Sequence, residues 1–156
     1  MYRHDYVLRL IERLGQVLRT LRDRLLQRQM TNDDIRGEIQ EIAREAGLDL
    51  AFARRLDLGT LVTWLAPVPD AVDEDRVWLM AELLYVEALA ARASGDDQQA
   101  AADGRRALAL FARISPTWKP GTDLTSAGER VAELQVLLRD AGDPRQSRPD
   151  DSSNVD

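Results

Sequence analysis

The stretch Ala81-Glu82-Leu83-Leu84-Tyr85-Val86-Glu87-Ala88, followed by Gly95-Asp96, decides the fold. Its apolar residues recur every three or four positions, which predicts a helix that ends near Ala93. Ser94, Gly95 and Asp96 predict a tight turn. A second stripe with helical spacing follows the turn, at residues 100, 104, 107, 111 and 114. The stretch therefore predicts two antiparallel helices whose small residues let the backbones approach closely.

Residues 78–114 resemble a tetratricopeptide-repeat (TPR) hairpin. Leu84 matches the large residue early in the first helix of that repeat, and Ala88 matches the small residue where the two helices cross. Gly95-Asp96 matches the turn, and Ala100 and Ala107 match alanines seven positions apart in the second helix. Two positions depart from the pattern, because Glu87 and Gly104 stand where apolar and aromatic residues are expected. The resemblance implies a TPR-like helical repeat that serves protein–protein interaction.

Outside the hairpin, the sequence predicts an all-α fold of six or seven helices, with a long N-terminal helix followed by TPR-like antiparallel hairpins. We expect one domain over residues 1–141 and a disordered tail at 142–156. Within the domain, a long amphipathic helix covers 1–30, short helices cover 31–66, and the hairpin with a final helix covers 72–141. The final helix is expected at about 123–141. Pro67 and Pro69 mark the internal boundary.

The whole chain, over about residues 1–141, is also similar to a bacterial family of uncharacterised proteins, a domain of unknown function. The residues that carry this similarity are Asp5-Tyr6, Arg9-Leu10-Ile11-Glu12, Gly47-Leu48-Asp49-Leu50, and Leu83-Leu84-Tyr85 before Gly95-Asp96. The similarity implies a TPR-like helical fold and no known activity.

Composition excludes several classes of site. The chain of 156 residues has no cysteine and a single histidine, His4. It therefore lacks a disulfide scaffold, a thiolate nucleophile and the ligands of a Cys- or His-pair metal site. No apolar run approaches the roughly 20 residues of a membrane span. We expect a cytoplasmic protein that is not an enzyme and has no catalytic, cofactor-binding or metal-binding residues.

Charge is unevenly distributed along the chain. Residues 1–30 hold seven arginines and three acidic residues, a net charge of +4, whereas the chain as a whole has −6. Such a basic helix can dock on its own acidic domain, on a second copy or on an anionic partner. Part of its apolar stripe has coiled-coil spacing. The candidate interaction residues are Arg9, Arg13, Leu14, Leu18, Leu21, Leu25 and the loop tryptophan Trp118.

Residues 42–56 are similar to a helix-turn-helix, with Gly47-Leu48 at the turn and Arg54 and Arg55 placed to contact DNA. The segment around the turn is strongly acidic, however, so phosphates would repel it. We read it as a corner between two helices of the core. The acidic run 73–75 is read as the start of a helix rather than a cation site.

These observations favour a non-enzymatic interaction or assembly module whose protein partner is unknown. A homodimer through the first helix is one form of such an assembly. The alternative is an adaptor that binds an anionic membrane or an acidic partner through the Arg-rich helix, and a DNA-binding helix-turn-helix is the third reading. We expect no nucleic-acid partner, and the membrane is disfavoured because the first helix has a charge of only +4.

Overall fold

The computed structural model describes residues 9, 12, 15–16, 19–21, 23–24, 27, 32–65, 74–119 and 125–142. Within these residues the fold is all-α and contains no strand, which confirms the predicted class. The described residues from 9 to 24 are helical. Three helices then follow, α1 (Asn32–Glu45), α2 (Leu50–Arg55) and α3 (Leu58–Leu65). Residues 66–73, which include Pro67 and Pro69, residues 120–124 and the tail from 143 lie outside the described residues.

The remaining helices are α4 (Glu74–Ala93), α5 (Asp97–Phe111) and α6 (Ala127–Gly142). The central helix is α4, and every residue from Val77 to Ala91 except Leu89 is buried. A helix that is buried all round must be covered on several sides. It packs most extensively on α5, and α1 and α3 also contact it, while α5 packs in turn on α6.

The turn between α4 and α5 forms as its sequence predicts. Gly95 has a φ of +83°, a left-handed conformation that costs glycine no steric strain. Asp96 then caps α5, because its carboxylate accepts a hydrogen bond of 3.0 Å from the backbone N–H of Gln99. The chain thereby reverses its direction within three residues, and α4 and α5 form the predicted antiparallel hairpin. The hairpin positions Leu84, Ala88, Ala100, Ala107 and Phe111 are all fully buried.

Gly104 explains one departure from the TPR pattern. A Cβ atom at this position would lie 3.2 Å from Leu138 Cδ2 and 3.3 Å from Leu137 Cδ2. Both contacts are tighter than ordinary packing, so the bare glycine backbone is what lets α6 approach α5 closely. An aromatic residue here would hold the two helices apart.

The final helix starts later than its apolar stripe predicts. The described helix begins at Ala127 rather than near residue 123. Ser126 and Glu129 form a capping box there: the Ser126 N–H donates to Glu129 Oε2 at 3.0 Å, and the Glu129 N–H donates to Ser126 Oγ at 3.3 Å. The two side chains thereby accept hydrogen bonds from backbone N–H groups that have no carbonyl partner within the helix. This capping box fixes the start of α6.

No helix within the described ranges is both long enough and apolar enough to cross a membrane.

Candidate functional site: a cleft with a charged floor

A cleft of about 530 Å³ opens between the short helices and the central helix. Its walls come from the end of α1, the turn after it and α2, with Trp64 of α3 at one side and Glu87 of α4 at its floor. The lining residues are Gln40, Ala43, Arg44, Gly47, Leu48, Asp49, Leu50, Ala51, Arg54, Trp64 and Glu87. Its volume lies within the range of roughly 300–1,000 Å³ that is typical of ligand pockets.

Local sequence chemistry builds the wall of the cleft. Gly47 takes a φ of +71° and ends α1, and the Leu48 N–H returns to the Ala43 carbonyl at 2.7 Å. Asp49 then caps α2 by accepting from the Phe52 N–H at 3.0 Å. The two caps leave only a short turn between α1 and α2, and α2 ends at Arg55. Arg54, one position earlier, points back towards α4 and α5 rather than into solvent.

Arg54 lies between two carboxylates, Glu87, which also lines the cleft, and Asp103, which is buried behind the lining. Arg54 Nε donates to Asp103 Oδ1 at 3.1 Å, and Arg54 Nη2 donates to Asp103 Oδ2 at 3.0 Å. The same Nη2 lies 3.3 Å from Glu87 Oε2. Asp103 is completely buried and Glu87 is 6% exposed, whereas about a third of the Arg54 side chain reaches solvent. A bidentate pair of this kind is the strong form of the contact, so Asp103 is the principal partner of Arg54.

The pKa of Glu87 depends on its burial and on the Arg54 guanidinium that it shares with Asp103. Burial raises the pKa of Glu87 above its ordinary value, because a carboxylate loses its hydration there. The positive charge of Arg54 opposes that shift, the negative charge of Asp103 adds to it, and Arg36 opposes it from α1. Burial also disfavours the charge on Arg54, but Asp103 and Glu87 outweigh it and raise the Arg54 pKa. Glu87 is therefore the poorly compensated charge of the cluster.

A second charged cluster lies on another side of α4, away from the cleft. Arg130 of α6 is 3% exposed, and it donates to both carboxylate oxygens of Glu82 at 2.8 and 2.9 Å. Its Nη1 donates to Glu133 at 2.8 Å, and the Tyr85 hydroxyl donates to the same carboxylate at 2.9 Å. This cluster ties α6 to α4 and does not line the cleft.

An apolar rim continues the cleft wall onto the surface. The rings of Phe52 and Trp64 meet edge to face with their centroids 5.2 Å apart. Phe52 is 40% exposed, and the Arg76 guanidinium lies over Trp64 at 5.5 Å. Trp64 is half-buried, so Phe52 is the exposed ring of this pair. An exposed aromatic side chain beside a concave site is typical of protein interfaces.

Three candidate interaction residues of the sequence analysis are described, Arg9, Leu21 and Trp118, and none of them is among the residues that line this cleft. Arg9 is exposed and Leu21 is 4% exposed, within the hydrophobic core of the chain. Trp118 is half-buried against the core, and its ring centroid lies 6.1 Å from that of Trp78. Their role in binding stays a prediction. The other members, Arg13, Leu14, Leu18 and Leu25, lie outside the described residues.

The segment that is similar to a helix-turn-helix supplies the cleft wall instead. Its second helix, α2, has only six residues. Arg54, one of the two arginines placed to contact DNA, has its guanidinium engaged by Asp103 and Glu87. Arg55 is exposed. The expectation that the chain has no nucleic-acid partner stays a prediction, and the inward position of Arg54 supports it.

Sequence reasoning missed the buried charges of both clusters. It did not identify Glu82, Glu87, Asp103 or Arg130 as buried charges, yet all four are buried. A signal was present at Glu87, because a charged residue stands there in an otherwise apolar part of the helix. No such signal identified Asp103 or Arg130, whose helices are amphipathic and carry many charges.

Comparison with known proteins adds no relative: no protein-family model, no curated protein and no solved structure matches this chain. The TPR resemblance and the similarity to a bacterial family therefore stay predictions.

Proposed function

We propose that this protein is a non-enzymatic interaction module that holds a segment of a protein partner in the cleft between α1–α3 and α4. One observation carries the proposal: the cleft combines apolar walls with the charges of Arg54 and Glu87, and the exposed ring of Phe52 packs beside it on the half-buried Trp64. Apolar walls supply binding energy, and a few fixed polar groups supply orientation.

The arrangement of the last three helices supports a TPR-like scaffold. Three side-chain contacts join α4 to α6 at one constant offset of 48 residues, from Glu82 to Arg130, from Tyr85 to Glu133 and from Arg92 to Asp140. A constant offset means that α4 and α6 run parallel, with α5 antiparallel between them in the chain. Alternating helices of this kind stack into repeat scaffolds that present a concave surface to a partner.

Blocking the cleft tests the proposal. Ala51 lines the cleft and is exposed, so Ala51→Phe fills it with a ring without disturbing the core. Ala132 is an exposed residue of α6 that is not among the lining residues, so Ala132→Phe is the matched control. Affinity capture from the native cell should recover a protein with the wild type and with Ala132→Phe, and lose it with Ala51→Phe. Equal capture by all three proteins would contradict the proposal.

A second candidate function is the adaptor that binds an anionic membrane or acidic partner through its first helix. The observation that favours it is that Arg9, Arg19 and Arg24 are exposed. Flotation with liposomes that contain anionic lipid tests it: binding at low salt that is lost at high salt is expected of this adaptor. Absence of binding at low salt removes the membrane form of the candidate.

A further inference from the structure

We propose that Asp103 and Arg106 of α5 are positioning residues for partner binding: they hold Arg54, and with it the α2 wall of the cleft, in place without lining the cleft themselves. This inference rests on the proposed function and names what keeps its site in shape.

The wall helix α2 cannot hold its position by itself. It has six residues, and isolated helices shorter than roughly 12–15 residues are only marginally stable in water. Its buried residues are Leu50 and Ala53. Ala51, Phe52 and Arg55 are exposed, so little apolar surface fixes the helix on the core. Contacts from other helices must therefore supply the rest.

Asp103 holds the side chain of Arg54. Its carboxylate is completely buried, and it accepts hydrogen bonds of 3.1 Å from Arg54 Nε and 3.0 Å from Arg54 Nη2. Among the described residues, no other group donates a hydrogen bond to this carboxylate. If α2 moved away, the carboxylate would lose both donors, which is costly because it is cut off from water. Asp103 therefore ties α2 to α5, and the 3.3 Å ion pair of the same guanidinium with Glu87 adds a longer tie to α4.

Arg106 holds the backbone of the same residue. It lies three positions after Asp103, on the same side of α5, and its Nη2 donates to the Arg54 carbonyl oxygen at 2.9 Å. That carbonyl belongs to the last turn of α2, whose carbonyls have no partner within the helix and attract a positive charge. Arg106 Nε is buried and has no acceptor among the described residues. The guanidinium keeps its position in spite of this unsatisfied N–H, which indicates that its contact with α2 fixes its conformation. Asp103 and Arg106 together form a clamp on Arg54.

The clamp determines the shape of the cleft, because three of the lining residues, Leu50, Ala51 and Arg54, belong to α2. Trp64 of α3 lines another side, and the ring of Phe52 on α2 meets it with the centroids 5.2 Å apart. When α2 leaves its place, the three lining residues move relative to Trp64 and the partner loses its site. The apparent affinity for the partner then falls with the fraction of molecules in which α2 is docked.

Two substitutions break the clamp from α5. Asp103→Asn keeps the shape of the side chain and removes its charge, and Arg106→Gln removes the guanidinium. Arg105→Gln makes the same change at the exposed neighbouring residue and is the matched control. Val131→Ala is a second control, because Val131 is half-buried against the core on α6, which packs chiefly on α5. It lowers the stability of the whole fold without breaking the clamp.

Amide hydrogen exchange reports on α2 through the Ala53 N–H, which donates to the Asp49 carbonyl at 3.0 Å. We expect each clamp variant to raise the exchange rate of Ala53 at least about tenfold, and both controls to leave it unchanged, because α2 opens locally. In the double variant Asp103→Asn/Arg106→Gln, the nuclear Overhauser effect between the rings of Phe52 and Trp64 should also disappear. Circular dichroism checks that the other helices stay folded.

An unchanged exchange rate at Ala53 in either clamp variant would overturn the inference. An increase of the same size in Val131→Ala would also overturn it, because Asp103 and Arg106 would then act only on the stability of the whole fold.

Affinity capture from the native cell separates this inference from the proposed function. We expect the double variant to lose the partner as Ala51→Phe does, and Arg105→Gln to keep it. If Ala51→Phe loses the partner and the double variant keeps it, the cleft binds without the clamp and the inference alone fails. Capture that survives Ala51→Phe contradicts the proposed function, whereas the exchange rate of Ala53 still shows whether the clamp holds α2.

Discussion

Arg130 shows how much the fold depends on single charged residues. It is buried between α6 and α4, and it makes two hydrogen bonds to Glu82 and one to Glu133. Replacing it with leucine removes the guanidinium that donates two hydrogen bonds to the buried Glu82 carboxylate. We expect Arg130→Leu to lower the free energy of unfolding by about 3–5 kcal/mol, measured by urea denaturation.

Two controls locate the cause of that loss. Arg139→Leu alters an exposed arginine of the same helix and should change stability by no more than about 0.5 kcal/mol. The double variant Glu82→Leu/Arg130→Leu removes both charges and should recover most of the stability, because an apolar pair needs no compensation. A double variant as unstable as Arg130→Leu alone would show that the pair is not the source of the effect.

Glu87 should make stability depend on pH in the opposite sense to an ordinary paired carboxylate. Its pKa is raised in the folded chain by burial, so at a pH between the ordinary glutamate pKa and the raised one the folded state binds more protons than the unfolded state. Stability is therefore lost as pH rises from the ordinary glutamate pKa through the folded value. We expect Glu87→Gln to be at least as stable as the wild type near neutral pH, with the two converging at about pH 4.

Urea denaturation of both proteins across this pH range measures the difference. Glu38→Gln is the control, because the exposed Glu38 should give a difference from the wild type that does not follow the same trend. A Glu87→Gln protein that is much less stable than the wild type at neutral pH would mean that the ion pair with Arg54 outweighs the burial of Glu87.

At the scale of elements, two glycines on helix interiors should respond oppositely to substitution. Gly37 of α1 is exposed, and a Cβ there would meet nothing within 4 Å. Gly37→Ala should therefore stabilise the protein by about 0.5–1 kcal/mol through helix propensity alone. Gly104 faces Leu137 and Leu138, so Gly104→Leu should separate α5 from α6 and cost about 1–3 kcal/mol in spite of the same propensity gain.

Thermal unfolding monitored by circular dichroism compares the two variants with the wild type. A Gly104→Leu protein as stable as Gly37→Ala would contradict the close contact between α5 and α6.

The elements were more predictable than the residues that join them. The turn at Gly95 and the small residues of the hairpin follow from local spacing and turn chemistry, and the structure confirms them. The start of α6 did not follow from the apolar stripe, because the Ser126–Glu129 capping box fixed it. The cleft could not be predicted, since Arg54, Glu87 and Asp103 come from three helices and meet only through tertiary packing.

At the scale of the whole molecule, the first helix raises the question of which surface it covers. The sequence leaves open whether its leucines pack on their own domain or on a second copy. Leu21 is 4% exposed within a single chain and belongs to the same hydrophobic core as α1, α4 and α5. This burial favours docking of the helix on its own domain.

The dependence of stability on protein concentration distinguishes packing of the first helix within one chain from packing in a dimer. If Leu21 packs within one chain, Leu21→Ala should cost about 2–5 kcal/mol at every protein concentration, and light scattering should give a mass of 17.5 kDa at high micromolar concentration. Leu58→Ala, at a leucine that is 42% exposed, should have little effect. A doubled mass with a melting temperature that rises with protein concentration would instead support a dimer seam through Leu14, Leu18, Leu21 and Leu25. In a dimer the stability of the folded state increases with protein concentration, because association favours the folded chain.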